Sequence, residues 1–119
     1  MFLPQEDRFD GPALKRSSIV QIIDEVEGLL DKEGWINRNP VGSGRRGYCI
    51  GSAIATVVGR PDSWTREQSI KYSEVAEVML AAMQTQTGRQ WESMPRYNDA
   101  PGRTREDVRN VMKLAREIA

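Results

Sequence analysis

The sequence predicts an all-α fold: a compact bundle of about four helices, with a central small-residue helix and long ordered loops. Apolar residues recur at helical spacing in three long segments. Residues that cap helices precede these segments, and a glycine follows three of the four predicted helices. Residues 47–55 consist largely of small residues, which let neighbouring backbones approach closely.

The length of 119 residues fits a single domain that can bury a core without disulfides or a metal. Pro4, Gly11 and Pro12 interrupt any periodic pattern near the amino terminus. We therefore expect residues 1–16 to form an N-terminal arm and residues 17–119 to form a single helical domain. The arm has three residues that could dock on the domain: Phe2, Leu3 and Phe9.

The first helix is predicted to begin at Ser18, which forms a capping box with Gln21, and to end at Gly34. Its buried stripe is predicted to contain Ile19, Ile22, Ile23, Val26, Leu29 and Leu30. The opposite face is acidic and carries Asp24, Glu25, Glu27, Asp31 and Glu33. Such a face is usually only solvated, but it could also meet a basic partner.

The small-residue helix is predicted to run from about Tyr48 to Val58 and to end at Gly59. A buried strand is the alternative, because several residues here are β-branched. We favour a helix because Ile50 and Ile54 share a helical face and no second strand-like run is available for pairing. A loop of glycine, proline and polar residues precedes it, and Arg38, Arg45 and Arg46 make that region basic.

The third helix is predicted to start with a capping box of Thr65 and Gln68 and to run to about Thr87, before Gly88. Its apolar stripe is predicted to contain Ile70, Val75, Val78, Met79, Ala82 and Met83. The two methionines are more often flexible core filler than part of a promiscuous binding surface.

The last helix is predicted to start after Thr104, with Asp107 favourable near its positive end. Its buried face is predicted to contain Val108, Val111, Met112, Ala115 and Ile118. Between the third and last helices, residues 89–102 read as a long structured loop. A loop of this length is uncommon in a small domain and usually has a function.

Composition excludes several functions. The chain has 17 Lys and Arg residues, 17 Asp and Glu residues, no histidine and one cysteine. Proteins that bind nucleic acid mainly through phosphates usually have a basic excess, which is missing overall. Without histidine, the Ser/His and Cys/His dyads and the usual zinc sites are excluded. We expect no metal, no cofactor and no enzymatic activity.

The location is predicted to be cytoplasmic. No segment resembles a signal peptide, and the single cysteine cannot form an internal disulfide. The longest apolar run, residues 53–58, is far too short to cross a bilayer. We therefore expect no membrane association.

The loops contain the candidate binding residues. Trp91 and Tyr97 could simply anchor the long loop to the helices, and Asn98 with Asp99 could form an Asx-type turn. The alternative is a polar recognition patch that the loop forms beside the basic region. The candidate binding residues are Arg38, Arg45, Arg46, Trp91, Arg96, Tyr97, Asn98, Asp99 and Arg103.

Four further residues are predicted to be structural: Trp35, Tyr48, Cys49 and Gly51. Cys49 lies one residue into the predicted small-residue helix, and Arg45 and Arg46 are nearby, which would favour a reactive thiolate. However, no histidine is available as a base. We expect Cys49 to be inert packing that is largely protected from thiol reagents.

The order and spacing of several motifs resemble a family of small proteins of unknown function encoded by actinobacteria and their bacteriophages. The family pattern combines Gly-Trp-Cys, Tyr/Trp-Cys-x-x-Gly-Ala-Leu, Trp-Asn-Asp and Arg-Thr. The matching segments here are Gly34-Trp35, Tyr48-Cys49-Ile50-Gly51-Ser52-Ala53-Ile54, Tyr97-Asn98-Asp99 and Arg103-Thr104, followed by Asp107-Val108.

The chain departs from this pattern at two positions. Ile36 replaces the first cysteine, which argues against a cysteine pair or a metal site, and Tyr97 replaces the tryptophan. The resemblance implies no biochemical activity. What it implies is a phage-encoded accessory protein that acts in the cytoplasm of a host.

Three classes of function remain open. The first is a non-enzymatic accessory protein that binds a host or phage protein through the basic and aromatic loop surface. The second is a nucleic-acid-binding regulator, for which the arginines could form a local patch. The third, which we favour least, is a small enzyme or nucleotide-binding protein, since residues 42–47 lack the lysine and hydroxyl pairing of a P-loop. A homo-oligomer is compatible with each.

Overall fold

The structure, a computed structural model, describes residues 15–37, 47–59 and 63–119. These residues form five helices and no strand. The helices are α1 (Arg16–Glu33), α2 (Ile50–Val58), α3 (Arg66–Thr87), α4 (Met94–Asn98) and α5 (Arg105–Ile118). The predicted all-α bundle is confirmed. Most of the predicted N-terminal arm, residues 1–14, lies outside the described residues.

The core is a continuous apolar cluster to which all five helices contribute. The longest helix, α3, packs against each of the other four, and its closest neighbour is α5. The fully buried side chains include Ile23, Leu30, Ile54, Met79, Met83 and Met112. Burial of each such side chain stabilises the fold by roughly 1.5–3 kcal/mol relative to exposure.

The first helix starts earlier than predicted. It begins at Arg16, and its N-cap residue Lys15 makes no side-chain capping bond. The carbonyl of Lys15 accepts hydrogen bonds from the backbone N–H groups of Ser18 and Ile19, at 3.0 and 3.2 Å. The predicted capping box at Ser18 is therefore wrong, because the backbone is already helical before that residue. The predicted end at Gly34 is confirmed.

The small-residue segment is a helix, as predicted, but it is shorter than expected. It begins at Ile50, and Cys49 is its N-cap residue. Tyr48 lies outside it, in an isolated parallel bridge with Trp35. The bridge keeps Tyr48 extended. Its N–H donates to the Gly34 carbonyl at 2.9 Å, and its carbonyl accepts from the Ile36 N–H at 3.2 Å, so that carbonyl is not available for a helical hydrogen bond.

The small-residue helix α2 contributes to the core from one side. This helix packs against α1, α3 and α4, and its outer face exposes Ser52 and Thr56. Only one side is enclosed, where Ile50, Ala53 and Ile54 are fully buried. The small residues therefore allow close packing on that side, and α3 contacts each of the other four helices.

The predicted capping box of Thr65 and Gln68 is confirmed, and the predicted N-cap residue Thr104 forms a capping box with Asp107 as well. The side chains of Thr65 and Thr104 accept hydrogen bonds from the third helical residue, and Gln68 and Asp107 return them. Helix α3 ends at Gly88 as predicted. The predicted burial of Ile118 is wrong, since its side chain is 43% exposed in the last turn of α5.

The predicted long loop between residues 89 and 102 contains the short helix α4. The Ser93 hydroxyl accepts a hydrogen bond from the Arg96 N–H at 3.3 Å, and Pro95 occupies the first turn. Serine before a helix and proline in its first turn are both favourable. The loop is therefore two short segments that flank one and a half helical turns.

The acidic face of α1 is partly covered by α5. The Arg116 side chain forms ion pairs with Asp24, at 2.6 Å, and with Glu27. Nearer the start of α5, Arg105 and Arg109 both form ion pairs with Asp31 of α1, at 2.7 and 3.4 Å. The basic partner considered for this face is thus, at these positions, the chain's own last helix.

No helix among the described residues has both the length and the apolar character needed to cross a membrane.

Candidate binding groove

The Asn98 side chain joins three parts of the chain inside the core. It is fully buried. Its Oδ1 accepts hydrogen bonds from the Trp35 indole N–H at 2.7 Å and from the Ile50 backbone N–H at 3.0 Å. Its Nδ2 donates to the Ile36 carbonyl and to Asp99 Oδ1, each at 3.0 Å. Every donor and acceptor that this amide offers has a partner, so Asn98 fixes α4 against the segment after α1 and the start of α2.

Tyr97 is the second anchor of α4. Its ring is fully buried, and its hydroxyl donates to Gln86 on α3. Burial raises the pKa of Tyr97 to about 12, and the nearby Asp107 carboxylate adds to this, while Arg103 and the Gln86 hydrogen bond act in the opposite direction. Tyr97 is therefore a neutral hydrogen-bond donor at ordinary pH.

An arginine covers this tyrosine. The Arg103 guanidinium carbon lies 3.7 Å from the centroid of the Tyr97 ring, and Arg103 Nε donates to the Tyr97 carbonyl at 2.9 Å. The same side chain reaches Asp107, at 3.8 Å. Its guanidinium is therefore held by a ring, a carbonyl and a carboxylate within the protein.

The Trp91 ring extends this aromatic cluster towards the surface. It meets Tyr97 edge to face, with ring centroids 5.5 Å apart, and its indole N–H donates to Thr87 Oγ1 at 2.8 Å. The Arg89 guanidinium carbon lies 4.0 Å from its centroid. Trp91 thus combines an anchoring contact with a partly exposed surface that carries an arginine.

An open groove of about 780 Å³ runs beside α4. Its wall carries mainly polar and charged side chains together with Trp91 and two prolines. The residues that line it are Arg89, Gln90, Trp91, Glu92, Ser93, Pro95, Arg96, Asp99, Ala100 and Pro101. Arg96 and Glu92 form an exposed ion pair across one turn, at 3.4 Å.

A smaller cleft of about 290 Å³ adjoins this groove. The two share Pro95 and Asp99 in their walls. The rest of the cleft is lined by Ile36, Asn37, Gly47, Cys49 and Ser52. Carbon and sulfur atoms dominate this lining, so the cleft is an apolar extension of a polar groove.

Cys49 is less buried than predicted. It is a half-buried free thiol on the wall of the cleft. Its Sγ accepts a hydrogen bond from the Ser52 N–H at 3.4 Å and donates to the Ser52 hydroxyl at 3.2 Å. The thiol therefore has a structural role as the N-cap of α2, in place of the interior helical position that was expected.

The other three residues predicted to be structural have distinct environments. Trp35 and Tyr48 are half-buried and pack against the core, joined by the bridge described above. Gly51 is half-buried, and a β-carbon there would meet only Tyr72 Oη at 3.6 Å and Met94 Cε at 3.9 Å. Glycine is therefore not required for space at this position, whereas Gly47 is tightly confined.

The structure divides the predicted binding residues into three groups. Trp91, Arg96 and Asp99 lie together in the groove. Tyr97 and Asn98 are fully buried, and Arg103 is mostly covered by its contacts with Tyr97 and Asp107. The anchoring interpretation, made for Trp91 and Tyr97, describes Tyr97 fully, whereas Trp91 combines anchoring contacts with a place in the groove. Arg38, Arg45 and Arg46 lie outside the described residues.

Sequence reasoning missed two residues that shape the site. Arg89 lies over Trp91 in the groove, and Gln86, on α3, accepts a hydrogen bond from the Tyr97 hydroxyl. Arg89 and Trp91 are two positions apart, just after Gly88 ends α3. This spacing could have predicted that the arginine contacts the aromatic ring. Gln86 gave no such signal, because its position facing Tyr97 depends on how α3 and α4 pack.

Within the described parts of the chain, no three side chains of the metal-ligating types Asp, Glu and Cys come close enough to hold a metal ion.

Comparison with known proteins gives one family. Residues 15–118 match a family of unknown function (DUF6197), and the chain belongs to that family. Neither a curated protein nor a solved structure matches the chain.

Proposed function

We propose that this member of a family of unknown function is a non-enzymatic binding protein that engages a partner protein through the groove beside α4. The observation that carries the proposal is the open groove itself, in which Trp91, Arg89 and Arg96 are presented together. Tryptophan and arginine are the residue types that most often dominate the energy of protein interfaces.

The wall of the groove is held in place from behind. Asn98 bonds to the segment after α1 and to the start of α2, and Tyr97 bonds to α3, so that together they fix α4. Their neighbours Arg96 and Asp99 line the groove. A wall that is already ordered loses less conformational freedom on binding, so more of the contact energy is available as affinity.

The resemblance to proteins of actinobacteria and their bacteriophages supports a more specific form of the proposal. We propose a phage-type accessory protein that acts on a protein of an actinobacterial host, in its cytoplasm. The resemblance does not itself identify that protein, and a second copy of the chain is one form that a protein partner could take.

Nucleic-acid binding is the alternative, and the described arginines give it little support. Arg105, Arg109 and Arg116 are paired with carboxylates of α1, and Arg96 is paired with Glu92. Such pairs reduce the local positive potential that phosphate binding needs. We therefore use a salt-titrated duplex DNA shift as a counter-test.

The experiment is affinity purification of the tagged chain from an actinobacterial host lysate, followed by mass spectrometry, beside an Arg96→Glu variant. Arg96 is 74% exposed, and its surface ion pair contributes at most about 1 kcal/mol, so the variant should fold normally. Lys113→Glu is the matched control, because it makes the same charge change at an exposed position on α5.

A host protein that the native chain and Lys113→Glu retain, and that Arg96→Glu loses, would support the proposal. Equal capture by the native chain and both variants would move the interface away from the groove. Salt-dependent DNA binding together with no reproducible protein would overturn the proposal in favour of the alternative.

A further inference from the structure

We infer, on the premise of the proposed function, that the groove and the cleft together hold one extended segment of the partner, with a carboxylate over Arg89 and an apolar side chain in the cleft. The first support is continuity. Pro95 and Asp99 belong to both walls, so a single strand of polypeptide can pass from one to the other without leaving the surface.

The charges of the groove indicate where an acidic residue would lie. Arg96 has Glu92 as its ion-pair partner. Arg89, by contrast, contacts the Trp91 ring, and no carboxylate among the described residues pairs with it. A guanidinium stacked on an aromatic face keeps its N–H groups available at its edge, where they match a carboxylate.

The same reasoning gives the bound segment a direction. Arg89 lines the groove but not the cleft, and the described residues that line the cleft include no Lys or Arg. The acidic residue is therefore favoured at the Arg89 end. The apolar residue is favoured beyond the junction, where the wall of the cleft is apolar.

The cleft has the size of a side-chain pocket. Its volume of about 290 Å³ lies near the lower end of the range for ligand sites, roughly 300–1,000 Å³. Ile36 and Pro95 supply carbon surface, and Cys49 supplies a polarisable sulfur. A pocket of this kind favours an aliphatic or aromatic side chain over a charged one, because most of its lining surface is carbon and sulfur.

The test is selection of a randomised nine-residue peptide library, displayed on a carrier, against the native protein, two variants and a control variant of the full chain. The first variant is Ser52→Trp, which places a large ring at the exposed edge of the cleft. The second is Arg89→Gln, which keeps a polar side chain and removes the charge. Thr56→Trp is the matched control, since Thr56 is exposed one turn further along α2 and does not line the cleft.

We expect native protein and Thr56→Trp to enrich peptides with an acidic and an apolar residue at a fixed spacing. Ser52→Trp should lose the apolar preference at least tenfold and keep the acidic one, and Arg89→Gln should do the reverse. Circular dichroism of each variant confirms that its helices are intact.

Each other result overturns a defined statement. Enrichment of acidic peptides with no apolar preference overturns the inference about the cleft and leaves the groove as a binding site. An apolar preference that persists in Ser52→Trp places the pocket elsewhere and also overturns the inference. If no peptide is enriched while affinity purification captures a groove-dependent protein, the extended-segment inference fails and the proposed function stands. If both experiments are empty, the proposed function fails as well.

Discussion

The indole N–H of Trp35 and the amide oxygen of Asn98 lie 2.7 Å apart although 63 positions separate the two residues in the chain. The same oxygen also accepts the Ile50 N–H. One buried atom therefore connects the end of α1, the start of α2 and the helix that forms one wall of the groove.

Replacement of Asn98 by alanine should be strongly destabilising. The buried N–H of Ile50 and the half-buried indole N–H of Trp35 would lose their acceptor, and the Ile36 carbonyl would lose its donor. Buried groups left without partners cost about 1–3 kcal/mol each, and we expect a net loss of about 2–4 kcal/mol in the free energy of unfolding. Urea denaturation monitored by tryptophan fluorescence measures it.

A companion substitution, Trp35→Phe, tests the same hydrogen bond from the other side. It removes one donor but leaves Asn98 Oδ1 bonded to Ile50, so a smaller loss of about 1 kcal/mol is expected. If Asn98→Ala were as mild as Trp35→Phe, the three-way role of Asn98 would be wrong.

Stability should fall at alkaline pH in a way that depends on Tyr97. Its pKa is raised from 10.0 to about 12 in the folded state, chiefly by burial. A group with a raised folded-state pKa stabilises the fold fully below its unfolded pKa and loses that contribution as pH rises through the folded pKa. The loss should therefore occur between pH 10 and about 12.

The measurement is the urea midpoint of native protein and of Tyr97→Phe at pH 9 and pH 11.5. The phenylalanine variant lacks the ionisable hydroxyl, so its midpoint should decrease less over this interval, even if it is lower at pH 9. Equal decreases would mean that other groups cause the alkaline loss.

Two glycines should respond in opposite ways to alanine. At Gly47, φ is +145° and a β-carbon would lie 2.5 Å from the Gly34 carbonyl oxygen. Gly47→Ala should therefore destabilise by roughly 1–3 kcal/mol or more. Gly51 lies within α2 and has ordinary space around it, so Gly51→Ala should be neutral or stabilising by up to about 1 kcal/mol.

Thermal unfolding of these two variants beside the native protein tests this pair directly. A strongly destabilised Gly51→Ala would show that the chain packs more tightly around Gly51 than the structure indicates.

The ion pairs between α1 and α5 should give a small, salt-dependent stabilisation. Arg116 is 28% exposed and reaches both Asp24 and Glu27. Arg116→Gln should lower the free energy of unfolding by about 1 kcal/mol at low salt. The difference should shrink in 1 M salt, because added ions screen partly exposed charges. Lys113→Gln, also on α5 and exposed, is the control, and an unchanged difference at high salt would point to packing.

The sequence predicted best where a structural signal is local. The capping box at Thr65 and the N-cap at Thr104 each depend on residues within one helical turn, and both are present. The ends at Gly34, Gly59 and Gly88 were likewise readable from neighbouring residues. In contrast, Ser18 offered a capping pattern that the structure does not use, because the helix had already begun.

The candidate site was only partly predictable because its residues are sorted by long-range contacts. Asn98 and Asp99 are adjacent in the sequence and equally polar, yet one is fully buried and the other lines the groove. What separates them is the presence of Trp35 and Ile50 opposite Asn98. The residues next to Asn98 and Asp99 in the sequence do not indicate these distant contacts. The sequence could therefore mark the pair as important, but it could not predict which residue is buried and which is at the surface.

The bonds of Asn98 also have a consequence for folding kinetics. Its partners Ile50 and Trp35 are 48 and 63 residues away, so large loops must close before the amide can be satisfied. The capped helices α3 and α5, by contrast, can form from local contacts. We therefore expect the groove to be completed late in refolding, so that the binding proposed for it would report on chains that have finished folding.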